Sequence, residues 1–271
     1  MSNIKIKRGE ILTNKELCEI FKCSPQGGMR KSNTTNTLVL ISDQVDSLYE
    51  DEWMNNVLHY TGMGQHGDQD INKSQNKTLL ESNSSGVEVH LMEVFKKGEY
   101  TYQGRVFLGE DPYEGSQPDA RGIERKVYIF PLHLDNKQKP VPVEYELMEE
   151  KKDRQERKTK AISDEELADR IEHISSEVGQ RIATSKVYQR DPLIVEYTKR
   201  RASGICELCK NSAPFKKKDS TPYLETHHIT WLSKGGKDSI QNTVALCPNC
   251  HRKMHILNKE EDIESLQNIS K

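Results

Sequence analysis

Two C-x-x-C pairs, Cys206/Cys209 and Cys247/Cys250, constrain this chain more than any other feature, because four thiolates at that spacing can close a tetrahedral zinc site. Such a site staples a small domain that apolar burial alone holds poorly. Between and just after the pairs stand His227, His228, Asn242, His251 and His255, none of which a four-cysteine site needs. The surplus imidazoles provide an open second metal position and a spare base.

Around these residues the pattern reads as a helix over 191–203, the first cysteine pair, a strand over 224–229, a strand over 243–246 and a helix over 251–257. On that last helix His251 and His255 are four apart and share a face, so both can reach one ion that His227 approaches from the other side. Neighbouring side chains of an extended segment point to opposite faces, which separates His227 from His228. One can ligate metal while the other takes a proton from water, since an imidazole is largely neutral at cellular pH.

The segments Glu225-Thr226-His227-His228-Ile229, Gly235-Gly236-Lys237-Asp238, Asn242 and Leu246-Cys247-Pro248-Asn249-Cys250-His251 resemble the HNH endonuclease family over about residues 195–258. The resemblance implies a ββα-metal finger carrying a structural zinc site. It implies His228 as general base, His227, His251 and His255 as ligands of a catalytic divalent ion, and Asn242 as the brace of the loop that carries His228. In that chemistry His228 activates a water for in-line attack on phosphorus, and the ion stabilises charge on the phosphate and the departing 3′ oxygen. Imidazole ligands suit manganese, cobalt or nickel better than magnesium, although magnesium is the more abundant ion. Lys199, Arg200 and Arg201 are candidate phosphate contacts, with a solvated helix face as the competing reading. A zinc-stabilised binding module with incidental histidines is the competing reading of the whole segment.

Composition bounds the rest. With 271 residues and 34% hydrophobic content, two modest domains with separate cores are expected. The net charge of -2 conceals an asymmetry: residues 195–271 carry 13 Lys+Arg against 9 Asp+Glu, and residues 1–194 carry 27 against 33. The positive field therefore lies with the metal finger. No stretch approaches the roughly 20 apolar residues of a membrane span, and the polar start predicts a cytoplasmic protein with no membrane partner. Cys18 and Cys23, outside the metal spacing, are expected to be reduced thiols.

Short β-type runs over 37–42, 87–95, 100–108 and 126–134, separated by Gly, Asn and Asp-rich turns, predict a β-rich, barrel-like first domain. Two helices fit around it, one over 14–21 entered through Thr13 and one over about 71–82 capped by Asp68 or Asp70. Residues 135–163 lose their apolar periodicity and fill with charge, as a solvated connector does. A helix starting at Ser163 follows, with Leu167, Ile171, Ile174 and Val178 as a narrow apolar stripe that docks on its own chain or forms a homodimer seam. The expected division is 1–134, a charged linker with helix over 135–190, and 191–271.

Within the first domain, Tyr60-Thr61-Gly62-Met63-Gly64-Gln65, Asp68-Gln69, Asn76, Leu79-Leu80, Ser82 and Tyr100-Thr101-Tyr102-Gln103-Gly104 resemble the SET- and RING-associated (SRA) domain over about residues 10–134. Gly27-Gly28-Met29-Arg30 and Tyr49-Glu50-Asp51 stand upstream in the expected order. Domains of that family flip a modified cytosine from duplex DNA into a pocket. Tyr49 and Tyr60 would sandwich the base, Asp51 would accept from the cytosine N4 amine, and Thr61 and Gly62 would leave space for a methyl or hydroxymethyl group. Glu52 is a rival to Asp51. Met63-Gly64-Gln65 and Gln103 depart from the family's usual glycine pair and Asp. Asp68, Gln69 and Asn76 read better as capping or structural hydrogen-bond residues than as base contacts.

The two resemblances imply an α+β protein of the McrA type: a modification-dependent endonuclease acting on double-stranded DNA that contains 5-methylcytosine or a relative. A non-cleaving methyl-DNA reader and a non-selective nuclease are the alternatives.

Overall fold

The computed structural model describes residues 4–172 and 179–269. The chain forms two compact units, Met1–Ser185 and Lys186–Lys271.

The first unit begins with β1 (Ile11–Leu12), α1 (Asn14–Phe21), β2 (Met29–Ser32) and β3 (Thr37–Asp43). It continues through β4 (Glu52–Met54), β5 (Val57–Thr61), α2 (Ser74–Leu80), α3 (Ser82–Ser85), β6 (Glu88–Lys96) and β7 (Glu99–Leu108). β8 (Tyr113–Pro118), β9 (Glu124–Leu134), β10 (Val143–Glu144), α4 (Tyr145–Thr159), α5 (Asp164–Glu172) and β11 (Ala183–Thr184) complete it. The second unit holds α6 (Pro192–Ala202), β12 (Glu225–His228), β13 (Thr243–Leu246), α7 (Pro248–Ile256) and α8 (Glu260–Ile269).

Nine strands form one mixed sheet in the order β2-β3-β6-β7-β9-β5-β4, with β1 on β7 and β8 on β9. β3 and β6, next to the β2 edge, run parallel, and both are buried along nearly their whole length. Burial on both faces explains why they read as continuous apolar runs. Side-chain alternation then divides the core: Leu38, Leu40 and Leu91 pack on one face with Tyr60 and Phe130, while Val39, Ile41, Met92 and Val94 pack on the other against Leu17 and Phe21 of α1. Leu91 and Met92, neighbours in sequence, fall into different clusters by that alternation, and the pairing of β6 with β7 also shifts register between them.

The first helix starts as the sequence predicts. The Thr13 hydroxyl accepts from the Glu16 N–H at 3.3 Å and the Glu16 carboxylate accepts from the Thr13 N–H at 2.7 Å, a reciprocal capping box. The second helix does not. It begins at Ser74 with no side-chain cap, because Asp68 is engaged by the Lys126 N–H and Asp70 by the Asn72 N–H. The short strands β1, β2, β4 and β8 escape the sequence pattern.

Residues 135–163, expected as a solvated connector, include the 15-residue helix α4, and they group with the first unit. Ser163 caps α5 by accepting from the Glu166 N–H at 3.2 Å. Of the apolar stripe, Leu167 is half-buried and Ile171 exposed, while Ile174 and Val178 lie outside the described residues. Among the described residues no helix is long and apolar enough to cross a membrane.

Candidate functional site

In the second unit β12 and β13 form an antiparallel pair in which His227 lies opposite Val244 and His228 opposite Thr243. Pro248 begins α7 directly after the pair, so Cys247 and Cys250 straddle a helix start. The sulfurs of Cys206, Cys209, Cys247 and Cys250 lie within 4.8 Å of one another, with Cys209 and Cys247 3.9 Å apart. Four converging thiols, two of them buried, match the donor set of a structural zinc site.

His227, His251 and His255 form a second cluster, again with ligand nitrogens within 4.8 Å of one another. Nε2 of His251 and Nε2 of His255 approach to 3.0 Å. His227 is 2% exposed, and its buried Nε2 has no hydrogen-bond partner among the described residues. Burial, reinforced by His251 and His255, pushes its pKa down to about 3, so its lone pair stays available. An orphaned imidazole nitrogen facing two others is the chemistry of a divalent-ion site.

Two carboxylates that the motif reading left without a role orient this cluster. Glu225 accepts from His251 Nδ1 at 2.5 Å, which directs Nε2 of His251 toward its neighbours. The bond to His251 is also the main cause that holds the Glu225 carboxyl below the usual carboxylate range. Asp238 sits 2.8 Å from His228 Nε2 and also accepts from the Asp191 N–H at 2.7 Å. These bonds, the backbone one first, keep Asp238 ionised to lower pH than an ordinary carboxyl. A carboxylate on Nε2 fixes the tautomer that leaves the Nδ1 lone pair of His228 as the basic site.

The loop after β12 is closed by Asn242. Its Oδ1 accepts from the Thr230 N–H at 2.8 Å, and its Nδ2 donates to Thr230 O at 2.9 Å and Lys237 O at 2.8 Å. Gly236 is obligatory there, since a Cβ would stand 1.9 Å from Thr230 O. Tyr188, Arg190 and Trp231, none singled out from sequence, line the cleft with His227, His228, His251 and His255. Arg190 donates to Thr226 O at 3.0 Å. It lies upstream of the motif, in a stretch with no periodic signal.

The cation run of α6 behaves differently from the expectation. Arg201 donates through Nε and one terminal nitrogen to Glu207 at 2.8 and 3.1 Å and also to Thr243 O at 2.8 Å. With a further bond to Ile240 O at 3.2 Å, most of its donors are committed to this brace, where the sequence expectation leaves them free for phosphate. Arg200 is exposed and pairs with Glu196 one turn away, and Lys199 is half-buried.

In the first unit a cavity of about 420 Å³ is lined by Tyr49, Asp51 and Glu52 on one side and by Lys151, Arg154 and Lys158 of α4 on another. Asp51 is buried, and its Oδ1 accepts from the Thr61 N–H at 2.9 Å. Burial pushes its carboxyl up to about 7 despite that bond. Glu52 is exposed, so the carboxylate held in place is Asp51. The Tyr49 hydroxyl donates to Gly64 O at 2.9 Å.

Three of the expected base-pocket residues, Tyr60, Thr61 and Gly62, are buried. Tyr60 is 3% exposed within the sheet core, where its hydroxyl donates to Gly28 O at 2.9 Å, so its ring is not an open platform. Thr61 is buried and accepts from Gln117 at 3.0 Å. Gly62 is closely packed on its Cβ side: a Cβ there would meet Gln69 at 2.8 Å, Asn76 at 3.0 Å and Phe130 at 3.1 Å. Gln69 and Asn76 brace this turn through Gly62 O at 2.6 Å and the Met63 N–H at 2.8 Å. Gln103 accepts from the Val141 N–H at 2.8 Å, a structural use of the position that departs from the family pattern. Lys151, Arg154 and Lys158 were missed; their 3 and 4 spacing is a helical signal carried by charge rather than by apolar residues.

A family model described as HNH endonuclease matches residues 206–256, and one described as ScoMcrA-like, SRA domain matches residues 8–152. The architecture is thus an SRA domain followed by an HNH metal finger. With more than half of its length matched, the chain belongs to the ScoMcrA-like SRA domain family. It is 51% identical over 82 residues to the type IV methyl-directed restriction enzyme EcoKMcrA of Escherichia coli strain K12, a match covering 30% of each protein. Among solved structures it is similar to the type IV phosphorothioation-dependent restriction endonuclease ScoMcrA, at 16% identity and a TM-score of 0.41, covering 98% of this chain and 63% of that one. The modification-dependent TagI restriction endonuclease is similar at 18% identity and a TM-score of 0.37, covering 94% of this chain and 80% of that one.

Proposed function

We propose that this protein is a modification-dependent DNA endonuclease whose first unit reads a modified cytosine, 5-methylcytosine or a close relative, by base flipping, and whose second unit hydrolyses nearby phosphodiester bonds. The observation that carries the reading is the convergence of His227, His251 and His255 beside a carboxylate-held His228. In this reading His227, His251 and His255 hold a divalent ion, magnesium, manganese, cobalt or nickel. When bound, the ion supplies charge stabilisation to the scissile phosphate and the leaving oxygen. His228, oriented by Asp238, takes the proton of the attacking water at Nδ1, and Asn242 keeps its loop closed. The four cysteines hold zinc and fix the start of α7.

The first unit supplies selectivity. Tyr49 stacks on the flipped base and Asp51 accepts from its N4 amine, with Lys151 and Arg154 as the cationic wall. Tyr60, Thr61 and Gly62 act from behind: the Thr61 N–H aims the Asp51 carboxylate. Flipping costs a few kcal/mol of unstacking, so discrimination lies in what the pocket returns for the modified base. The natural role is restriction of foreign DNA in the cytoplasm. One finger cuts one strand, so two chains meet at a double-strand break, with the stripe beginning at Leu167 and Ile171 as the seam. A monomer in sedimentation that still makes double-strand breaks in a single encounter removes the dimer.

The test is cleavage of one plasmid in unmodified, 5-methylcytosine-substituted and phosphorothioated forms, with manganese or magnesium, beside His228→Ala. Cutting confined to the methylated form and absent in the variant is the expected result. Equal cutting of all forms overturns the reader, and binding without cutting under every metal overturns the nuclease.

A further inference from the structure

Lys216, Lys217 and Lys218 stand at the tip of a hairpin between the first cysteine pair and β12, and all three are exposed. The hairpin is closed by the Lys217 N–H on Thr221 O at 2.8 Å, the Ser220 N–H on Lys217 O at 3.0 Å and the Tyr223 N–H on Phe215 O at 2.9 Å. Asp219, the acid inside the loop, is occupied by the Thr221 N–H and hydroxyl at 3.0 and 2.6 Å. Among the described residues no salt bridge joins a carboxylate to any of the three ammonium groups; the Asp219 carboxyl is lowered in pKa first by its Thr221 hydrogen bonds, with the Lys217 charge a smaller cause. The arginines of α6 contrast with them, since Arg200 and Arg201 are each paired.

Two further features distinguish this hairpin from an ordinary solvated loop. Phe215 is 52% exposed and stacks on Tyr223 with ring centres 4.5 Å apart at 17°. The Tyr223 hydroxyl donates to Glu225 Oε1 at 2.8 Å, and the other oxygen of Glu225 accepts from His251. Two hydrogen bonds therefore tie the stacked aromatic base of the hairpin to the histidine cluster.

We propose that this hairpin is a duplex-DNA clamp for the nuclease unit: Lys216, Lys217 and Lys218 neutralise backbone phosphates beside the cut site, and the Phe215–Tyr223 stack stiffens their mount. Phosphate contacts position a duplex without reading its sequence, so the clamp acts on modified and unmodified DNA alike. The inference rests on the nuclease reading, and its test separates the failure of one from the failure of the other.

The experiment compares K216Q/K217Q/K218Q with K216R/K217R/K218R in the full chain, each in a His228→Ala background that leaves the DNA intact. Binding to methylated and unmethylated duplexes of equal length is measured across a salt series. The glutamine variant should lower the slope of log K against log salt by about 2 to 3, near 0.9 for each phosphate left without its cation, and weaken both duplexes equally. The arginine variant should keep both affinity and slope. An unchanged slope in the glutamine variant, or a weakening confined to methylated DNA, overturns the clamp. A parent that binds but a wild-type chain that never cuts overturns the nuclease reading while leaving the clamp result standing. A parent that binds no duplex overturns both.

Discussion

The histidine cluster of the finger and the turn after Tyr60 in the sheet unit handle their polar atoms in opposite ways. In the finger, His227 Nε2 is buried with no hydrogen-bond partner among the described residues, while the supporting shell of Glu225, Asp238 and Asn242 is closed by short hydrogen bonds. In the sheet unit the turn after Tyr60 is satisfied throughout, by Gly28, Asp51, Gln117, Gln69 and Asn76. The contrast teaches where each unit keeps its affinity. A metal site must carry unspent ligand atoms on a rigid mount, whereas the turn after Tyr60 spends its polar atoms on holding its own backbone and the Asp51 carboxylate in place.

The largest test of the contrast is Cys247→Ser. Zinc binding free energy is folding free energy in small fingers, about 10–16 kcal/mol in isolated peptides, so the second unit should lose its melting transition while the first keeps its own. A calorimetric trace with both transitions intact would show that apolar packing around Leu246 and Met254 suffices. His228→Ala should lower the cleavage rate by roughly 10²- to 10⁴-fold at unchanged DNA affinity, measured by single-turnover kinetics. Glu225→Gln, which loosens the aim of His251 without removing a ligand, should weaken divalent-ion affinity by about 10–100-fold, read by titration calorimetry.

Asp51 sharpens the other side. Its carboxyl is raised to about 7 by burial, from an ordinary value of 3.8. Below pH 3.8 both folded and unfolded chains hold the proton; as pH rises toward 7 the unfolded chain releases it first, so this group costs stability increasingly across that window. Asp51→Asn should flatten that part of the stability profile, by up to a few kcal/mol at its upper end, in urea melts from about pH 5 to 8. It should also reduce the preference for methylated DNA. A pH profile identical to wild type would mean that Asp51 is ionised in the folded chain. The smallest effect is Arg201→Ala, expected to cost about 1–3 kcal/mol of stability in the finger with little change in the salt slope of DNA binding. A large slope change there would restore Arg201 as a phosphate contact.

The finger's elements were legible because ligand spacing is a local property. C-x-x-C, adjacent histidines on a strand and histidines four apart on a helix fix directions within one element, and the β12–β13 pair and α7 arise where those directions require. The long apolar strands β3, β6, β7 and β9 were legible for the same reason. The short edge strands were hidden because two to six residues carry too little period, and α4 was hidden because its face toward the cavity is cationic rather than apolar. The three residues Tyr60, Thr61 and Gly62 belong to a motif in sequence, yet nothing local says whether a tyrosine on β5 turns to the core or to a ligand.

The sequence by itself determined which atoms could ligate, which cysteines have the spacing of a metal site and which runs are buried on two faces, since residue type and spacing set donor chemistry and side-chain direction. Tertiary structure alone decided that Asp51 is the buried carboxylate of the pair, that Arg201 is spent on Glu207, and that Asp238 and Glu225 hold the histidines. Those outcomes depend on which distant backbone and side-chain groups arrive within about 3 Å, and burial and hydrogen bonding are properties of that arrival.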